Sequence, residues 1–178
     1  MTETVDLMCA SPRLAQVPYS ARLLTVKKLA LTIQTLSIIR GISSIQVTTP
    51  ASQETLEELI LDYIRTGYLK RAETEDLLQA LVLLVRCHSR EIYPHAWEGR
   101  DLTDLGEMMG EMGEEEGDLM AELLDFFQKL VGDGLLTAEY AAAYLADAVV
   151  NYKTSSKRFQ RVQRFLQALV QASDLVSK

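Results

Sequence analysis

Along most of this chain apolar residues recur at three- and four-residue intervals, the spacing that lines one face of an α-helix. Ser20 to Arg40 (SARLLTVKKLALTIQTLSIIR) reads as a first helix, opened by Ser20 after Pro18 and closed by Gly41, which suits the left-handed position just past a helix. Inside it LTIQTLSII also alternates as a strand would, and ISSIQVTT after Gly41 is β-branched, so 30–48 carries both a helical and a strand pattern. Thr49 and Pro50 form a cap and first-turn pair ahead of Leu56, Leu59, Ile60, Tyr63 and Ile64, a second helix ending at Gly67. A third runs from Thr74 to about His88, with Glu75 and Asp76 in the first turn, where the helix dipole favours acids. Its Leu77, Leu78, Leu81, Leu84 and Val85 leave it nearly apolar all round, which predicts a place at the centre of the core.

The segment REIYPHAWEGR, Arg90 to Arg100, breaks this pattern with Pro94 and Gly99 and reads as a connection whose Tyr93 and Trp97 close over the core. Further on, Leu119 to Leu130 is helical and VGDG at Val131 to Gly134 is a turn. Thr137 caps a helix through Tyr140, Tyr144, Leu145 and Val149, and Ser155 or Ser156 opens the last. Two stretches share one form: Glu58 to Leu81 and Glu122 to Leu145 each give an acidic-apolar helix, a short turn with glycine, and a Thr-capped helix rich in Leu or Ala. Such a pair resembles the stacked helical hairpins of HEAT-like proteins in architecture only, with no residues to carry over. The expectation is an all-α, single-domain bundle of about six helices, with stacked hairpins as the form a duplication would take. Residues 1–18 read as a flexible lead-in and 19–178 as the domain, which includes an acidic Gly/Met-rich segment at 101–118.

Composition changes this picture little. The 178 residues are 48% hydrophobic and 24% charged, ordinary values for a folding chain. The start lacks a basic region followed by an apolar one, and the apolar run Leu77 to Val85 is too short to cross a bilayer. Two cysteines, Cys9 and Cys87, read as free thiols of a reducing compartment. A soluble intracellular protein, cytoplasmic or nuclear, with no membrane contact is therefore expected.

Charge changes it more. From Asp101 to Asp125 there are ten carboxylates and no Lys or Arg, which leaves 15 acids and 18 bases elsewhere. The net charge of −7 is thus a local feature, and a partner meeting it would be basic. On a helical projection Leu105, Met109, Met112 and Leu119 share one face, Gly106, Gly110, Gly113 and Gly117 a second, and Glu107, Glu111, Glu114 and Asp118 a third. Interior glycines and like charges at i, i+4 together cost such a helix about 4 to 5 kcal/mol. It would form only with its Met/Leu face packed or its acids neutralised.

Candidate chemistry is sparse. GEMMGEMG has carboxylates where a phosphate loop needs Lys, and Asp101 onward lacks the ligands of a calcium loop, so no cofactor and only unspecific cation binding are expected. Cys87, His88, Glu91 and His95 hold zinc-type ligands, but Pro94 breaks the helix before His95 and no second Cys/His pair follows at finger spacing. Neither a metal centre nor a catalytic residue is assigned. On the last helix Lys153, Lys157, Arg161 and Arg164 form a basic stripe opposite Phe159, Val162, Phe165, Leu166, Leu169 and Val170. The expected function is a non-enzymatic protein-interaction module, a subunit or adaptor contacting its partner through Met108, Met109, Met112, Glu107, Glu111, Glu114 and Asp118, through the basic stripe, or both. The alternative is a regulatory protein that meets nucleic-acid phosphate with that stripe.

Overall fold

The computed structural model describes residues 11–45, 51–69, 72–88, 90–150 and 155–172. All regular structure among them is helical, eight α-helices and two short 3-10 turns. Six of the helices have 12 residues or more, the number the periodicity predicts, and the two short ones are additions. Contacts divide the chain into two compact units, Met1–Ser89 and Arg90–Lys178. No helix among the described residues is long and apolar enough to cross a membrane.

The first unit holds α1 (Pro12–Ala15), α2 (Tyr19–Ile39), α3 (Gln53–Thr66) and α4 (Thr74–Arg86). The lead-in expected over 1–18 is described only from Ser11, where the Ser11 hydroxyl accepts the Leu14 N–H at 3.3 Å and caps α1. Leu14 is fully buried, and Arg13 bonds Glu58 of α3 at 2.7 Å, so apolar burial and an ion pair both tie this short helix down.

Helix α2 starts after Pro18, and Ser20, expected as its cap, lies instead in the first turn without a capping bond. The helix runs unbroken through LTIQTLSII, so its strand-like alternation is overridden. Thr25, Thr32 and Ser37 each donate their hydroxyl to the carbonyl four residues back at 2.7 Å, which satisfies these polar groups inside a helix. Gly41 closes it at φ 63, with Gly41 N–H on Ile38 O and Ile42 N–H on Ser37 O, the paired bonds of a left-handed helix stop. Residues 40–45 carry no strand, and 46–48 lie outside the described residues.

The Thr49-Pro50 cap also lies outside them; α3 begins at Gln53, where Ser52 accepts the Thr55 N–H at 3.2 Å. Glycine ends it as expected, Gly67 at φ 70. α4 packs against both α2 and α3 and buries Leu77, Leu78, Ala80, Leu81, Val82, Leu83, Leu84 and Val85, so the apolar-all-round helix is the centre of this unit. Its C-terminal carbonyls meet a cation: the buried Arg22 of α2 donates from Nη1 to Cys87 O at 2.8 Å.

The second unit holds 3-10 turns at His95–Trp97 and Leu102–Asp104, then α5 (Leu105–Gly110), α6 (Glu114–Gly132), α7 (Ala138–Val149) and α8 (Ser156–Gln171). α7 and α8 form its closest helix pair, with Ala141, Ala142, Ala146 and Ala148 of α7 buried. Small side chains let the axes approach, and α8 answers with Val162, Leu166, Leu169 and Val170. α6 lies against both and contributes Leu119, Met120, Leu123, Leu124, Phe126, Phe127 and Leu130. Thr137 and Ser155 cap α7 and α8 as expected, at 3.2 and 3.3 Å. Both hairpin pairs seen in the sequence form, α3 with α4 and α6 with α7.

Candidate partner-binding surface

The acidic segment is held from beneath by the connection that precedes it. Pro94 fixes the entry to the His95–Trp97 turn, and the Tyr93 N–H donates to Val149 O at 3.0 Å, which pins the connection to the end of α7. Tyr93 and Trp97 are both buried and meet edge to face at 5.5 Å, with Phe165 of α8 at 6.3 and 6.1 Å from their centroids. Trp97 then donates from Nε1 to Met108 O at 3.3 Å, and Met108 and Leu105 of α5 are buried. The indole is thus a core residue and the anchor of α5.

Charge is placed to match. Arg100, the last base before ten carboxylates, bonds Glu111 at 2.7 Å and lies 3.9 Å from Glu107. The continuous helix expected from Leu105 to Leu119 is broken at residues 111–113, and the break removes much of its cost. Gly110 becomes the last residue of α5 and Gly113 the N-cap of α6, end positions where glycine costs little. Glu114, Glu115 and Glu116, like-charged neighbours in a continuous helix, occupy the first turn of α6, where the helix dipole attracts acids. Arg90 lies 3.8 Å from Glu116 and adds to this.

The break also redistributes the three stripes. Glu107, Glu111, Glu114 and Asp118 are exposed, while Met109 and Met112 are half-buried. Met108 departs from the expected partner-contact set, because the backbone turn that offers its carbonyl to Trp97 also buries its side chain completely. Met112 instead folds back over α6, its Cβ 3.6 Å from where a methyl group on Gly117 would stand.

Lys153 lies outside the described residues, and Lys157, Arg161 and Arg164 of α8 are exposed. The best-engaged base is Arg158, which the stripe passes over. Its guanidinium takes both Glu91 carboxylate oxygens at 2.9 and 3.2 Å, donates from Nε to Glu98 at 3.2 Å, and stands 6.0 Å from the Tyr93 ring centroid. Burial works against that charge, but the bonds and charges of Glu91 and Glu98 outweigh it and hold its pKa above the usual arginine value. Tyr93 is pushed up to about 12, by burial first and by the Glu98 charge second. Arg161 lies 3.7 Å from Glu98, so part of the stripe serves this connection. Periodicity gave no sign of Arg100 or Arg158. Arg100 is marked only as a lone base beside an acidic run, and Arg158 only as one base among several in KRFQRVQR.

The four zinc-type residues fall in both units. Cys87 is buried and directs its thiol at Ser11 O at 3.9 Å, and His88 meets the Tyr19 ring edge to face at 6.0 Å, both in the first unit. In the second, Glu91 holds Arg158, and the exposed His95 lies 3.4 Å from Glu91 and 3.7 Å from Glu98. Cys9 lies outside the described residues. No family model, curated protein or solved structure matches the chain.

Proposed function

We propose that this chain is a non-enzymatic α-helical interaction module, a subunit or adaptor of an intracellular assembly, that receives a basic, amphipathic protein segment on its acidic stretch. One observation carries the reading. Between Glu107 and Asp118 four carboxylates are displayed to solvent on a backbone anchored from below by Trp97, Leu105 and Met108, with two flexible methionines half-buried among them. Fixed anions set encounter rate and partner sign, and methionine adapts to the apolar side of whatever docks. Arg100 already neutralises Glu111, so a partner's Lys or Arg would extend an arrangement the fold itself uses.

The test is affinity purification with mass spectrometry, comparing wild type with Glu107→Lys/Glu114→Lys/Asp118→Lys and with Met109→Ser/Met112→Ser. Each variant should recover the specific partners at least about tenfold less well while its circular dichroism shows the same helix content, since a few lost contacts of about 1.4 kcal/mol suffice. Equal recovery by both variants would overturn the proposal. A nucleic-acid role for Lys157, Arg161 and Arg164 is the weaker reading, because Arg161 stands within 3.7 Å of Glu98. Low-salt binding abolished by replacing these three with Ala would favour it instead.

A further inference from the structure

Cys9 and Cys87 are far apart in the sequence, but the fold of the first unit sets the neighbourhood of one against the side chain of the other. Cys87 follows the last turn of α4 and directs its Sγ at Ser11 O, 3.9 Å away. Cys9 stands two residues before Ser11 in the sequence. Both ends of that contact are fixed. Ser11 is fully buried, its hydroxyl accepts the Leu14 N–H at 3.3 Å, and its carbonyl accepts the Ala15 N–H at 3.0 Å. Cys87 is 2% exposed, its carbonyl accepts from Arg22 Nη1 at 2.8 Å, and its N–H donates to Leu84 O at 3.3 Å.

Chain geometry sets the reach. From Ser11 Cα to Cys87 Cα the path runs through one carbonyl, the 3.9 Å contact and one side chain, at most about 10 Å in all. Two residues of chain span up to about 7 Å, and a disulfide needs Cα atoms about 4.4 to 6.8 Å apart. A two-residue step from Ser11 toward the end of α4 therefore reaches bridging distance. We propose that Cys9 and Cys87 are a redox-responsive pair, which closes an intramolecular disulfide and ties the stretch ahead of α1 to the end of α4 when the surroundings turn oxidising. In a reducing compartment the pair rests as two thiols. Spacing along the sequence carries no sign of the pair, because tertiary packing alone sets Ser11 against Cys87.

The oxidant is a small-molecule disulfide. Cys87 is buried, so the reaction starts at Cys9, whose thiolate attacks one sulfur of the external disulfide and displaces the other, which leaves as a thiol. The Cys87 sulfur then attacks the Cys9 sulfur of the mixed disulfide, and its proton departs on the second small thiol. Two cysteine thiols become one disulfide while one external disulfide becomes two thiols, so electrons and protons balance without another reactant. The fold favours closure. In the unfolded chain the ring costs the entropy of the whole intervening loop, whereas in the folded chain Ser11 and Cys87 already meet.

The test equilibrates the full wild-type chain with mixtures of reduced and oxidised glutathione, in native buffer and in concentrated guanidinium chloride, starting from both the reduced and the oxidised protein. Acid-quenched samples should contain a monomer lighter by the two lost hydrogens. Its non-reducing tryptic digest should give residues 1–13 joined to residues 87–90. The equilibrium constant for closing the disulfide should be at least about tenfold larger in native buffer than in denaturant, because a fold and a cross-link that favour each other do so by the same factor. Equal constants in the two solvents, protein that stops at a glutathione adduct of Cys9, or disulfides formed only between copies would each overturn the proposal.

Discussion

Helix α4 has no glycine between Thr74 and Arg86 and buries nine of its 13 residues, whereas α5 has six residues, two of them glycine, and buries only Leu105 and Met108. Both are helical, but for different reasons. α4 is helical because every turn places leucine or valine against α2 and α3, so burial supports the whole length and no single contact decides the outcome. α5 has little propensity of its own and is set by a few outside groups: the Trp97 indole on Met108 O, two buried side chains, and Arg100 beside Glu107 and Glu111. A helix held along its length is a scaffold. One held at a few points can be re-formed around a partner at low cost, which is what an interaction segment requires.

The comparison breaks most visibly at Leu81, fully buried in α4. Leu81→Ala should lower stability by about 2 to 5 kcal/mol in denaturant unfolding, through lost burial and the cavity left behind. A loss under 1 kcal/mol would mean that α4 is not central. Next, Trp97→Phe removes the bond to Met108 O and part of the indole volume, and should cost about 1 to 3 kcal/mol. Hydrogen exchange should show the loss confined to the second unit, with amides of 105–110 exchanging faster and those of α4 unchanged; equal protection in 105–110 would show that Trp97 is no anchor. The smallest effect has the opposite sign. A methyl group at Gly106 or Gly110 meets nothing within 4 Å and neither residue has positive φ, so Gly106→Ala should stabilise by about 0.4 to 1 kcal/mol and Gly110→Ala, at the helix end, by less. If the proposed function is right, the doubly substituted protein should also bind its partner differently, because α5 is then stiffer. Destabilisation by either change would show that 105–110 needs glycine.

Where the sequence could be read, local chemistry and burial agreed. The apolar circumference of α4, the caps Thr137 and Ser155, and the stop glycines Gly41 and Gly67 were legible because each depends on residues within one or two turns, and the inward Tyr93 and Trp97 because large aromatic side chains bury the most apolar surface. The acidic segment was half legible. Its need for packing and neutralisation followed from glycine and charge alone, but which methionine would supply the packing did not: Met109 and Met112 share the projected face of a straight helix, and the break at 111–113 buries Met108 instead.

By itself, then, the sequence determined that this protein is helical, roughly where its helices start and stop, and that its acidity is gathered in one segment. Those are properties of periodicity, caps and composition, set by short-range sterics and by the free energy of burying one face of a helix. Only the tertiary structure decided that Arg100 and Arg158 are the bases that matter in the second unit, that Glu114 to Glu116 head a helix rather than crowd one, and that Leu24, Leu31 and Ile38 remain in solvent. Each of these depends on which residues distant in the chain come within a few ångströms, and a helical pattern marks the face that can be buried without naming what will cover it.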